Sequence, residues 1–421
     1  MFKKTIAVAL ALIMAIALFA ACGNSENNEK PGMTEDLLKG AELEKFDVAD
    51  DFKIGVICLH DENSTYDNNF IKAIKSVQEV LGLSNEQVLI KTNVAETSAC
   101  TEAANQLVSA GCKIIFCDSF GHEQFLLEVA KAHPEVECCH ATGTLAHTEK
   151  LANFHNAFAA IYEGRYLAGI AAGMKLNEMI NDGKITAEQA VMGYVGAFTY
   201  AEVISGLTSF YLGAKSVCPS VTMKVRYTGS WYDQAAEQEA ANALITTDKC
   251  VLISQHADSL GAPAACESAG VPNVSYNGST YDAGENTFII ASAINWAPYF
   301  HYIIKCVTDG VAIEDDYTGT IATGSIVLSG LNMNVSNDET KQAILKAIDE
   351  FKAGTLHVFD TSTFTVGGKT LDSYKADVDT DANFEGDTEV VSGGYFHESE
   401  FRSAPYFDII IDGIENLNTK F

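Results

Sequence analysis

Positive charge is scarce in this chain. Lys and Arg number 27 against 56 Asp and Glu, a formal net charge of −29 at pH 7. Nucleic acid is excluded as a partner, because its phosphates need Lys and Arg. Electrostatic docking on anionic lipid is excluded in the same way. Three catalytic signatures are missing: the Gly-x-Ser-x-Gly elbow, the Gly-rich phosphate loop with its Lys, and the His-Glu-x-x-His zinc helix. No enzyme activity is expected. No long apolar stretch follows the first 20 residues, so no membrane span is expected in the remainder. No pair of Cys-x-x-Cys motifs occurs, so spacing gives no zinc site, and no cofactor or metal is expected.

What is present begins at the N-terminus. Lys3 and Lys4 precede an apolar run over residues 5–20, followed by Ala20, Ala21 and Cys22. This is the layout of a secretory signal. The end of the run resembles a bacterial lipobox, although Phe19 stands where an aliphatic residue is usual. Residues 1–21 are therefore expected to be removed, and Cys22 to carry lipid. Residues 22–50, rich in Asn, Glu, Asp and Lys, read as a solvated tether. Of 421 residues 47% are hydrophobic and 10% aromatic, which suits a globular body of two domains. Ten cysteines follow Cys22. Cys58, Cys112, Cys117, Cys138, Cys139 and Cys250 lie in or beside strand-like apolar runs, as small buried hydrophobes do. Mostly free thiols are expected, with one disulfide left open.

From residue 52 the hydrophobic pattern alternates between short apolar runs and helical spacing. Strands are predicted at 52–58, 88–92, 113–117 and 136–140, and helices at 66–82, 96–110 and 121–132. A long helix is predicted around 157–177, after which the pattern restarts. Strands at 191–195, 222–228, 250–254, 274–276 and 287–291 alternate with helices at 200–215, 231–246 and 259–269, and helices at 296–307 and 338–353 follow. The fold class is α/β, with two doubly wound Rossmann-like lobes joined without a linker. Lobe 1 is placed at 51–157 with about 290–330, and lobe 2 at 158–289 with about 331–358. Residues 359–421, with short strands at 363–366 and 407–411, are expected to pack as an accessory segment on one lobe.

Ligands of open α/β sheets sit at the carboxyl ends of strands. Those ends are rich in polar and aromatic residues here. They include His60 to Phe70, Asp118 to His122, His140 to Gly143, Thr228 to Asp233, Ser254 to Asp258, Tyr276 to Ser279 and Ser292 to Trp296. Tyr66 and Trp231 can sandwich a flat ligand, while Asn and Asp side chains read ring edges and hydroxyls. Each also has a plain structural reading, Tyr66 as helix-start packing and Trp231 as a core residue. His122, His140 and His256 lie on three separate loops and read as hydrogen-bonded lining rather than as a metal set. Gly169-x-x-x-Gly173 reads as close packing between soluble helices. Tyr162 and Tyr166 read as helix-face packing, and Asp315-Asp316 as solvated.

The order of these segments resembles the basic membrane protein family of lipoprotein solute-binding proteins, which includes bacterial purine nucleoside receptors. The resemblance covers roughly residues 52–310. It is carried by Tyr66 to Phe70, Tyr162 to Gly173, Gly206 to Lys215 with Pro219, Trp231 to Asp233 and Ser292 to Trp296. It implies the type I periplasmic-binding-protein fold with hinge closure, and a monomer that captures a purine nucleoside for an ABC permease. By motif position, Tyr66 and Trp231 are the implied aromatic clamp. Asp67, Asn69 and Asp258 are implied polar contacts, and Asn68 and Asp118, from the strand-end segments, are expected to add ligand hydrogen bonds. Asn277 stands where the family often has a ribose-binding Asp, and Asn295, beside Trp296, near a common Lys. His140 or Thr142 stands where a base-reading Asp is common. The alternative is a receptor or binding lipoprotein for another aromatic or sugar-like solute, without coupling to import.

Overall fold

The structure is a computed structural model that describes residues 30–379 and 381–418. The expected signal, Cys22 and most of the expected tether lie outside the described residues. The chain divides into a short unit, Met1–Met33, and a body, Thr34–Phe421, and only the body is discussed below.

The elements of the first half are β1 (Met33–Leu38, in the body from Thr34), β2 (Ile54–Ile57), α1 (Thr65–Leu81), β3 (Val88–Lys91), α2 (Ser98–Ser109), β4 (Ile114–Cys117), α3 (Glu123–Ala132), β5 (Glu137–Ala141), the short α4 (Ala146–Glu149), β6 (Phe154–Ala159) and α5 (Ile161–Asn181). Then come β7 (Val191–Gly196), α6 (Ala201–Val217), β8 (Thr222–Tyr227), α7 (Gln234–Thr246), β9 (Leu252–His256), α8 (Gly261–Ala269), β10 (Asn273–Tyr276), β11 (Phe288–Ile294), α9 (Ala297–Asp309), β12 (Asp316–Gly319), β13 (Ile326–Asn332) and α10 (Asp338–Lys352). Short strands close the chain: β14 (Lys375–Ala376), β15 (Thr388–Glu389), β16 (Val391–Ser392), β17 (Tyr395–Phe396) and β18 (Ile414–Asn416).

Two sheets carry the two lobes. The first runs β12-β6-β5-β4-β2-β3 and is parallel throughout. The second runs β1-β13-β11-β10-β9-β7-β8-β18, with β13 antiparallel to β11. The central strands are apolar runs buried on both faces, as parallel sheets under two helical layers require. Helix ends follow local chemistry. Ser64 caps α1 by accepting from the Asp67 amide, and Gly82 ends that helix in the left-handed conformation at φ 71°.

Three stretches cross between lobes, at 160, 295–296 and 320–325, between β6 and α5, β11 and α9, and β12 and β13. The return into lobe 1 is therefore α9 and β12, shorter than the expected 290–330, because β11 and β13 pair inside the second sheet. Residues 154–159 form a strand rather than the start of the long helix; all six are buried, and they pair with β5 and β12. Residues 34–38, expected in the tether, form a strand at the edge of the second sheet. Thr34 and Asp36 side chains accept from the Leu331 and Gly330 amides there.

Helices α5 and α6 pack backbone to backbone. A Cβ on Gly169 would lie 2.1 Å from the Phe210 carbonyl oxygen, and one on Gly213 would lie 2.0 Å from that of Tyr166. Only glycine permits this approach, which is the close packing read from the Gly169–Gly173 spacing. All ten described cysteines are free and buried.

The C-terminal segment differs from expectation. Residues 363–366 and 407–411 are not strands; the regular pairs are β14 with β15, β16 with β17, and β18 with β8. The segment touches both lobes rather than one. It extends the second sheet through β18, while the Ser403 amide donates to Asp316 Oδ2 and Thr318 Oγ1 donates to the Ser399 carbonyl in the first lobe.

Candidate functional site

A cavity of about 270 Å³ lies between the lobes at the carboxyl ends of both sheets. From lobe 1, the loop after β2 leads through Leu59 and His60 into the capped start of α1, which presents Tyr66 and Asp67. Asp67 Oδ1 accepts from the His60 amide at 2.7 Å, and Oδ2 accepts from Ser64 Oγ at 2.5 Å. Burial alone would raise this carboxyl; hydrogen bonds from His60 and Ser64 outweigh it and hold the group below its ordinary range. Asp118, one strand over, behaves oppositely. Burial first, then the charge of Asp67, push it well above the ordinary range. The Tyr66 hydroxyl donates to the Asp118 carbonyl at 2.8 Å, which fixes the ring at the cavity wall. Ser119 and Phe120 follow β4, and Thr142 follows β5.

From lobe 2, the loop after β7 supplies Tyr200 and the first turn of α6 Glu202, the loop after β8 Trp231, the end of β9 and its loop His256 and Asp258, and the end of β10 and its loop Tyr276 and Asn277. His256 Nε2 lies 2.7 Å from Glu202 Oε1, and its Nδ1 lies 3.2 Å from the Tyr194 hydroxyl. Behind them, fully buried Arg165 donates to Tyr194 and Ser254 and anchors the network in the core. Asn277 Nδ2 donates to Asp258 Oδ1 at 3.2 Å. Burial, then the charge of Asp67, push the Asp258 carboxyl well above the ordinary range. Two lining residues, Thr142 at φ 63° and Asn277 at φ 61°, hold left-handed backbone, a strained conformation for Thr in particular.

The lobes meet across the cavity. The Thr65 amide donates to the Asp258 carbonyl at 3.0 Å, Asn69 Nδ2 reaches Asn277 Oδ1 at 3.5 Å, and the rings of Phe120 and Tyr200 lie 5.5 Å apart. The C-terminal segment adds Arg402, Ala404 and Pro405 to the wall. Arg402 is turned into its own segment, donating to the carbonyls of Asp377 and Ala404.

Of the sequence candidates, Tyr66, Asp67, Thr142, Trp231, Asp258 and Asn277 come together at the cavity. Six others do not line it. Asp118 and His140 lie buried behind the wall, His140 Nε2 bonded to the Ser119 carbonyl at 2.8 Å. Asn68 sits half-buried in the first turn of α1. Asn69 and Asn295 line a separate recess beside Lys39 and Lys72, and Asn295 is also tied to the Gly324 carbonyl. Trp296 is a core residue, 2% exposed and stacked on Phe70 at 4.4 Å, because α9 starts there and turns the ring under the sheet. His256 lines the wall as the hydrogen-bonded residue its position implies, while His60, Phe120 and Tyr276 lie inside the strand-end segments without a feature that marks them. Tyr200 and Glu202 fall inside the helix predicted at 200–215, and nothing in the sequence points to Arg402.

The lining offers ring faces from Tyr66, Phe120, Tyr200, Trp231 and Tyr276, and acceptor oxygens from Asp67, Glu202 and Asp258. Such a wall accepts hydrogen bonds from hydroxyl and N–H groups. A cleft of this kind between two doubly wound lobes defines a solute-binding protein of the type I periplasmic-binding fold. Solved solute-binding proteins share the fold: one from Aeropyrum pernix K1 superposes with a TM-score of 0.60 at 15% identity over 73% of this chain and 93% of its own. One from Conexibacter woesei does so at 0.57 and 18%, over 73% and 98%. Residues 54–354 match the family of PnrA-like ABC transporter substrate-binding proteins, and the chain belongs to that family. Its members are solute-binding proteins rather than enzymes and act outside the cytoplasm. Among relatives, a purine-binding protein of Brucella abortus is 31% identical over 73% of this chain and 83% of its own length. A nucleoside-binding protein of Lactococcus lactis is 22% identical over 85% and 99%. A putative glucose-binding protein of Haloferax volcanii is 31% identical over 62% of each chain.

Proposed function

We propose that this protein captures a purine nucleoside in the inter-lobe cavity and delivers it to an ABC importer, working as a monomer held at the membrane by lipid on Cys22. The observation that carries the reading is the cavity wall, which combines ring faces from both lobes with the oxygens of Asp67, Glu202 and Asp258. A flat base needs the former, and ribose hydroxyls and ring N–H groups need the latter. The negative charge of Asp67 also favours a nucleoside over a nucleotide, whose phosphate it would repel. The names of the Brucella and Lactococcus relatives agree with this choice. A sugar is the second reading, favoured by the name of the Haloferax relative.

The test is calorimetric titration of the body, unfolded and refolded to strip bound solute. The panel holds adenosine, guanosine, inosine, cytidine, uridine, adenine, ribose and glucose. Tight binding of a purine nucleoside with the sugars silent is expected. Glucose or ribose binding alone would move the assignment to the second reading. Mass spectrometry of the protein extracted from membranes tests lipid on Cys22, and light scattering tests the monomer.

A further inference from the structure

Cys100 on α2, Cys117 at the end of β4 and His122 before α3 converge in the interior of lobe 1 on the side away from α1. Their Sγ atoms lie 3.8 Å apart, and a donor atom from each of the three residues lies within 4.8 Å of the others. All three side chains are fully buried. His122 Nε2 lies 2.8 Å from the Val94 carbonyl, which makes it the N–H end of the ring. Its Nδ1 has no hydrogen-bond partner, and Asp118 Oδ1 lies 3.9 Å from it.

We propose that Cys100, Cys117 and His122 bind one zinc-type divalent cation as its three protein ligands. Two zinc–sulfur bonds of about 2.3 Å at a tetrahedral angle set the sulfurs about 3.8 Å apart, the separation observed here. The ring nitrogen tied to a backbone carbonyl is the arrangement that orients a ligating imidazole through its other nitrogen. Charge also balances. Binding releases one proton from each thiol, and two thiolates with a neutral imidazole neutralise a dication inside an apolar lobe. A disulfide would need the sulfurs at about 2.05 Å, much closer than they stand. The cation has a structural consequence. Ser119 and Phe120 line the solute cavity and lie between Cys117 and His122, so a metal held at both ends pins that part of the wall.

The test refolds the full chain with cobalt(II) under reducing conditions. One cobalt per chain with thiolate-to-metal charge-transfer absorption, displaced by zinc, is expected. Cys100→Ala and His122→Asn should each drop the bound metal from one per chain to near zero. Cys250→Ala, a buried thiol of the other lobe, should leave it at one. If Cys100→Ala does not fold, the metal content of His122→Asn decides. Absent charge-transfer absorption, metal content unchanged in His122→Asn, or a Cys100–Cys117 disulfide found by mass spectrometry of the non-reduced chain would each overturn the proposal.

Discussion

Replacing Trp231 with Ala isolates one face of the cavity. The ring is half-buried, packs edge-on against Phe198 at 5.0 Å and lies 6.0 Å from Tyr200. The backbone contribution of the residue survives the change, because the Asp258 amide donates to the Trp231 carbonyl at 2.9 Å and alanine keeps that oxygen. The loop therefore holds Asp258 in place while the indole is lost. Stacking of a base on an aromatic face is worth about 1–3 kcal/mol, which weakens affinity roughly 5- to 150-fold. Folding loses only the two edge contacts, about 0.5–1.5 kcal/mol each at most. Calorimetry with the tightest-binding nucleoside gives the first quantity, and urea unfolding gives the second. A folded variant whose affinity stays within about twofold of the parent would remove Trp231 from the solute and refute the stacking argument.

Trp296→Ala should do the reverse, costing about 3–5 kcal/mol of stability as a large core truncation while leaving affinity nearly unchanged in the folded fraction. Denaturant unfolding and titration read the two effects. Gly169→Ala places a methyl 2.1 Å from the Phe210 carbonyl oxygen and must part α5 from α6, costing about 1–3 kcal/mol by overpacking; an unchanged urea midpoint would show that the helices can slide apart freely. Glu398 is fully buried, accepts from the Tyr406 and Phe407 amides, and is pushed up to about 7, chiefly by burial. Its folded value lies above its unfolded one, so its contribution is complete below about pH 4.3 and fades as pH rises to about 7. Relative to the parent, Glu398→Gln should therefore gain stability across that window, and parallel stability–pH curves would contradict the assignment.

The doubly wound pattern was legible because central parallel strands are unbroken apolar runs, as at Ile54–Ile57 and Ile114–Cys117. Two strands that the sequence does not announce, β1 and β12, carry no such signal, whereas the unpredicted β13 does. β1 reads Met-Thr-Glu-Asp-Leu-Leu and β12 reads Asp-Tyr-Thr-Gly, and both are edge strands formed by pairing with distant segments rather than by their own composition. Half of the site candidates reach the cavity because the segments that follow parallel strands surface at the carboxyl end of the sheet, although Asp118, directly after β4, turns inward instead. Trp296 also follows a strand, but it starts a helix that runs back along the sheet, and its ring goes with the helix. Glu202 was hidden for the complementary reason, since an acidic residue in a first helical turn is already explained by the helix dipole. Cys100 sits on a helix 17 residues from Cys117, and no spacing rule connects them before the fold brings the sulfurs together.

The C-terminal segment spans from β18 on the far edge of one sheet to Asp316 in the other, and its middle forms part of the cavity wall. Two lobes joined only by crossovers would swing apart about those three stretches. Here a fourth connection lies across the mouth, so each opening has to detach or stretch it. The free energy of opening then includes the Ser403–Asp316 and Thr318–Ser399 hydrogen bonds, about 0.5–1.5 kcal/mol each or somewhat more for the charged acceptor. Breaking these bonds adds to the cost of parting the lobes, without any requirement that the segment touch the solute.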